Sequence, residues 1–110
     1  MFDAVLKGKF LQKGEGERKV NIQFIYHNYN AVLQTRSNIM RGIEAHRKVE
    51  FVVTNAYALT TTAKYSDIVL PVTTEWERPG TVKAGNREIL IAWSKIIDPL
   101  YESKSDQQIA

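Results

Sequence analysis

Residues 49–71, VEFVVTNAYALTTTAKYSDIVLP, constrain the fold of this chain more than any other stretch. Glu50-Phe51-Val52-Val53 and Ile68-Val69-Leu70 are short, mainly apolar and β-branched runs, and Pro71 stops the second. Continuous runs of this length suit strands covered on both faces, as in a parallel sheet. Thr54-Asn55-Ala56-Tyr57 follows where the first strand ends. Ligands of open α/β sheets gather outside the carboxyl ends of strands, so Thr54 and Asn55 are the first candidates for a site.

The remaining elements arrange themselves around this unit. Residues 1–9 read as a short helix with Asp3 as cap, Phe2 and Leu6 on one face, and Gly8 to close it. Residues 8–19, with Gly14 and Gly16, read as a loop. Val20–Tyr26 is a strand by alternation, Val20, Ile22, Phe24 and Tyr26 against Asn21 and Gln23. A helix capped by Ser37 runs through Ile39, Met40 and Ile43 to His46, with Gly42 inside it at a cost of about 1 kcal/mol relative to alanine. Strand, helix and strand then form a right-handed parallel βαβ unit.

Thr60-Thr61-Thr62 caps a helical turn before Asp67, and residues 73–80 form a loop ending in the Pro79-Gly80 turn. Thr81–Lys83 and Glu88–Trp93 flank Ala84-Gly85-Asn86-Arg87 as a hairpin. Ser105-Asp106 caps a helix with only residues 107–110 behind it, so the chain is expected to be cut from something longer. The expected fold is a single small α/β domain over residues 1–110. It is Rossmann-like and three-layered, with a mainly parallel sheet and a C-terminal β-hairpin.

Composition excludes several classes. The 110 residues contain no cysteine, which removes disulfides, thiolate zinc sites and iron–sulfur clusters ligated within the chain. No apolar run approaches the ~18 residues of a membrane helix, so no direct membrane insertion is expected, and MFDAVLKGKF lacks a signal-peptide pattern. The net charge of +3 comes from interspersed basic residues, without the stripe and aromatics that nucleic-acid binding requires.

Among candidate chemical groups, His27 and His46 read as one surface and one loop histidine rather than a metal pair. Glu75 and Glu77 point to opposite sides of an extended loop, in solvated or hydrogen-bonding roles. Asp67, directly before a strand, reads as a turn or cap residue. Asn30 and the pair Thr54-Asn55 end adjacent strands and face one crevice. Their uncharged donors and acceptors suit a nucleotide base or ribose. They serve equally well to satisfy local backbone groups in turns, and the residues themselves leave both readings open.

One combination is more specific. Thr60-Thr62-Ala63, Ser66-Asp67-Ile68-Val69-Leu70-Pro71, Glu77 with Gly80, Asn86-Arg87 and Lys104-Ser105-Asp106 occur in this order. The series resembles the molybdopterin oxidoreductases of the dimethyl sulfoxide reductase family, and the 37–51 and 63–67 segments look most like the anaerobic dimethyl sulfoxide reductase catalytic subunits. The resemblance implies a catalytic subunit several times this length, which binds molybdenum through two molybdopterin guanine dinucleotides and transfers an oxygen atom. This segment would hold one guanosine arm of that cofactor. The metal ligand would lie elsewhere, leaving no catalytic or metal-binding residue here and an isolated chain without activity or bound cofactor.

Carried over by position, the cofactor-binding residues are Asn30, Thr54, Asn55, Arg78 and Asp106. Tyr29 stands where the family has glycine, Ala31 where proline is common, and Asn55 and Ala56 compete for the place of a nucleotide-binding aspartate. The implied partners are the rest of the catalytic subunit, an iron–sulfur electron-transfer subunit and a membrane-anchor subunit, and many such enzymes are periplasmic or membrane-associated. Two other classes stand beside this reading. One is a stand-alone nucleotide-binding α/β module without redox chemistry. The other is a structural or partner-docking domain whose strand-end residues are turn formers.

Overall fold

The computed structural model describes residues 2–28, 31–83, 85 and 88–110. The chain falls into two compact units, Met1–Leu70 and Pro71–Ala110. The fold is α/β, as expected, with a three-stranded parallel sheet and an antiparallel hairpin near the C-terminus.

The first unit begins with α1 (Phe2–Lys7), whose Val5 is buried and whose Phe2 and Leu6 pack on the core. Gly8, at φ 64°, ends it. The next segment is not the expected loop. Strands β1 (Lys9–Gln12) and β2 (Gly16–Lys19) pair antiparallel, with Gly14 and Gly16 at φ 87° and 83° turning the chain. This ribbon is almost wholly exposed, so it carries no buried alternation to announce it.

Strand β3 (Phe24–His27) is shorter than the alternation over 20–26 suggested, and its phase is reversed. Ile25 and His27 are buried, while Phe24 and Tyr26 are exposed. Helix α2 (Val32–Thr35), unforeseen from the sequence, precedes α3 (Ile39–Lys48). The cap of α3 is Asn38 rather than Ser37. At φ 62° its Oδ1 accepts the Arg41 N–H at 3.2 Å. Gly42, Ala45, His46 and Val49 are all buried, a stripe at helical spacing.

Strand β4 (Phe51–Ala56) runs parallel to β3, with Ile25 beside Val52 and His27 beside Thr54. On that face Val5, Ile25, Ala45, Val49 and Val52 form the core under α1 and α3. The other face carries Phe24 stacked on Phe51 at 5.9 Å, both exposed. The expectation of strands covered on both faces therefore holds for Val52–Ala56 but not for the Ile68–Leu70 run, whose Ile68 and Val69 are exposed in this chain. Helix α4 (Thr61–Lys64), capped by the Thr60 hydroxyl as expected, leads to β5 (Ile68–Pro71). Asp67, expected as a turn or cap residue, instead bonds across to β4. Its carboxylate accepts the Val52 N–H at 2.7 Å, and its own N–H donates to the Val52 carbonyl at 2.9 Å.

In the second unit, β6 (Gly80–Lys83) and β7 (Leu90–Trp93) form the expected hairpin. Of its connecting residues, Ala84, Asn86 and Arg87 lie outside the described ones. Gly80 faces Trp93 across the ladder, and a Cβ there would come within 2.4 Å of the indole. Helix α5 (Asp106–Ile109) starts at Ser105 as predicted, with Gln108 Oε1 accepting both the Ser105 N–H and its hydroxyl.

Candidate functional site

The carboxyl end of β4 is built from hydroxyls. Ser66 Oγ donates to the Thr62 carbonyl at 2.9 Å, so the 2.6 Å contact between Thr54 and Ser66 must use the Thr54 proton. Thr62 Oγ1 accepts the Leu33 N–H at 3.0 Å and donates to Gln34 Oε1 at the same distance. A chain of bonds thus ties β4 through α4 to α2. Thr54 is fully buried and spends its hydroxyl inside the fold, and Asn55, next along the strand, is 1% exposed. Asn30 lies outside the described residues.

The two histidines do not sit where the sequence reading put them. His27 and His46 are buried and meet at 2.8 Å between their Nε2 atoms, with rings inclined by 19°. His46 Nδ1 is 2.7 Å from the Gly42 carbonyl, which can only accept, so Nδ1 carries the hydrogen and Nε2 the lone pair. His27 must therefore donate through Nε2. Burial, and secondarily the neighbouring His46, pushes the His27 pKa down to about 4. Two signals could have found the pair. His46 falls on the buried stripe of α3, and His27 is in phase with Ile25 once β3 is read in its true register. The reading over Val20–Tyr26 took the opposite phase.

In the second unit the loop before the hairpin is organised by Glu77, which is 5% exposed. Its carboxylate accepts the Thr74 N–H at 2.7 Å and the Leu100 N–H at 3.3 Å, the hydrogen-bonding role expected of it. The Trp76 carbonyl receives the N–H groups of Ile96 and Ile97, and Thr73 N–H donates to the Lys104 carbonyl. These bonds hold residues 73–78 against the C-terminal segment that leads to Asp106. Arg78, half-buried, follows directly. Its Nε is buried and has no hydrogen-bond partner among the described residues. A guanidinium donor in that condition suits an anionic oxygen supplied from outside the unit. Asp106, also half-buried, opens α5. Thr54 and Asn55 thus belong to one compact unit, and Arg78 and Asp106 to the other.

No group of three or more histidine, aspartate or glutamate side chains suited to a metal ion occurs among the described residues. No helix among them is long and apolar enough to cross a membrane.

Comparison with known proteins covers nearly the whole chain. The family model described as molybdopterin oxidoreductase matches residues 3–110. A trimethylamine-N-oxide reductase of Vibrio parahaemolyticus is 46% identical over 68 residues, 60% of this chain and 8% of that protein. A dimethyl sulfoxide/trimethylamine N-oxide reductase of Cereibacter sphaeroides is 43% identical over 72 residues, 63% of this chain and 9% of its own length. A biotin sulfoxide reductase of the same organism is 29% identical over 102 residues, 93% of this chain and 14% of that protein. The chain therefore spans less than a sixth of the length of these relatives.

Proposed function

Because the chain belongs to the molybdopterin oxidoreductase family, we propose that it is part of a catalytic subunit and holds one guanosine arm of a molybdenum-bis(molybdopterin guanine dinucleotide) cofactor. The observation that carries this reading is Arg78, whose buried Nε–H lacks an acceptor within the described protein. A phosphate oxygen of the dinucleotide would complete it. Asp106, opening α5, offers a carboxylate to base or ribose donors. Asn30 and Asn55 carry the neutral amides that the resemblance assigns to nucleotide contacts. Thr54 serves differently, since its hydroxyl is committed to Ser66. It fixes the end of β4 that carries Asn55, within a Rossmann-like arrangement of parallel strands.

When bound, the molybdenum centre supplies two-electron oxygen-atom transfer. This chain contributes positioning. Binding energy gathered at the remote guanosine end fixes the metal end elsewhere in the subunit. By itself the chain is inactive. The relatives named as reductases of trimethylamine-N-oxide, dimethyl sulfoxide and biotin sulfoxide support an N-oxide or S-oxide as the substrate of the whole enzyme, and anaerobic respiration is the proposed setting. The rest of the catalytic subunit, an iron–sulfur subunit and a membrane-anchor subunit are its proposed partners.

The test is cofactor content in the full-length enzyme. Arg78→Leu and Asp106→Ala should each lower molybdenum and guanine nucleotide per protein. Full occupancy in both variants would refute the assignment.

A further inference from the structure

The His27–His46 pair takes no part in the proposed cofactor site, and its geometry has a consequence of its own. It joins the last residue of β3 to the last turn of α3 through one N–H···N bond of 2.8 Å. Both rings are almost completely buried. We propose that this pair is a latch that stays closed only while it is uncharged, and that protonation lifts the end of β3 and the following Asn28 away from α3.

The proton inventory carries the inference. In the closed state His46 holds one hydrogen on Nδ1, given to the Gly42 carbonyl, and His27 holds one on Nε2, given to His46. The free lone pair is then on His27 Nδ1. A proton added there keeps the bridge but creates an imidazolium in the interior, where desolvation penalises charge. A second proton, on His46 Nε2, sets two N–H donors against each other at 2.8 Å. In either case the charge is relieved when the rings reach water.

Among the described residues no neighbouring charge offsets this cost. From α1, Phe2 meets His46 edge-on at 6.2 Å, while Asp3 and Lys7 are exposed and pair with Arg41 and with each other. On α3 itself, Arg41 is engaged with Asp3, Arg47 lies over the Tyr65 ring, Lys48 donates to the Leu6 carbonyl, and Glu44 is exposed. From β4 the registered neighbour of His27 is neutral Thr54. Tyr26 lies on the opposite face of β3, and Lys64 of α4 is exposed. The depressed His27 pKa has the same origin, with burial first and His46 second.

The experiment is amide hydrogen exchange on the intact protein between pH 7.5 and 4.5, read by mass spectrometry on the peptide covering residues 24–28. Rates are corrected for intrinsic exchange and referred to the β6–β7 hairpin. The wild type should lose protection by about tenfold per pH unit below about pH 6.5, as expected for one proton taken up on opening. His27→Gln, which keeps an amide donor but cannot gain a proton, should flatten that dependence. Should the variant fail to fold, 4-fluorohistidine, an isosteric and less basic replacement, should move the transition to lower pH. Parallel loss of protection in wild type and His27→Gln overturns the proposal. So does undiminished wild-type protection at pH 4.5, or a transition that fluorination leaves in place.

Discussion

Gly42→Ala separates helix propensity from packing, because the two pull in opposite directions at that position. In an exposed helix the substitution stabilises by about 1 kcal/mol, since glycine loses more backbone entropy on folding than alanine. Gly42 is buried inside α3, and a Cβ there would sit 2.6 Å from Leu33 Cδ2 and 2.9 and 3.0 Å from two atoms of the Phe2 ring. Leu33 is 1% exposed, so it cannot swing away into solvent without giving up its burial. Overpacking of this kind costs about 1–3 kcal/mol, so packing wins and the net change is a loss of up to ~2 kcal/mol. Urea unfolding with a two-state fit measures it, as a fall in midpoint at unchanged slope. In a Leu33→Ala background the nearest clash is gone, and the same substitution should cost about 1 kcal/mol less, a coupling characteristic of residues in contact. A Gly42→Ala variant about 1 kcal/mol more stable than wild type would refute the packing argument outright.

Three further outcomes follow from the same structure. Glu77→Gln turns one of two acceptors into a donor facing the Thr74 or Leu100 N–H. It should destabilise the second unit by about 1–3 kcal/mol, seen as faster exchange at those two amides. His27 is held near 4 in the folded state by burial and by His46, below its ordinary 6.5, so the unfolded chain binds more protons between those values. Its stabilisation is complete above about pH 6.5 and is lost as pH falls to about 4, by up to ~3 kcal/mol. A pH-resolved denaturation series on wild type and His27→Gln should show the slope in the first only. Gly80→Ala should expel the Trp93 indole from its berth 2.4 Å from the new Cβ position. Tryptophan emission should then shift to the red, and an unshifted spectrum would contradict that contact.

Part of this architecture was legible in the residues because it depends on local chemistry. The apolar runs of β4 and β5, the Thr60 and Ser105 caps and the order strand–helix–strand are set by propensity and by bonds spanning three or four residues, whereas the turn expected at Pro79-Gly80 lies instead at Glu75-Trp76, because Gly80 pairs with Trp93 as the start of β6. Those same pieces, in their order, also carried the family resemblance that the match over residues 3–110 supports. The β1–β2 ribbon escaped because exposed strands owe nothing to a hydrophobic period. The cap at Asn38 escaped because its left-handed φ is a property of the folded backbone, and Ser37 beside it is an equally good cap by residue type.

The site divides along the same line. The residue types at the strand ends belong to the sequence, but their assignments do not. Thr54 proved to be an internal donor because Ser66 is brought opposite it from twelve residues away. Arg78 was already singled out by the resemblance, but the burial of its Nε is a tertiary fact that no reading of Glu77-Arg78-Pro79 could supply. His27 and His46, nineteen residues apart, became partners only when β3 took the phase that buries Ile25. Alternation shows that a strand has two faces. Which face is buried depends on what lies across it, and here α1 and α3 cover the side of Ile25 and His27. By itself the sequence determined which elements form, how they are capped and to which family they belong. The tertiary structure decided which side chains are withdrawn from water, because burial and pairing are set by neighbours distant in the chain.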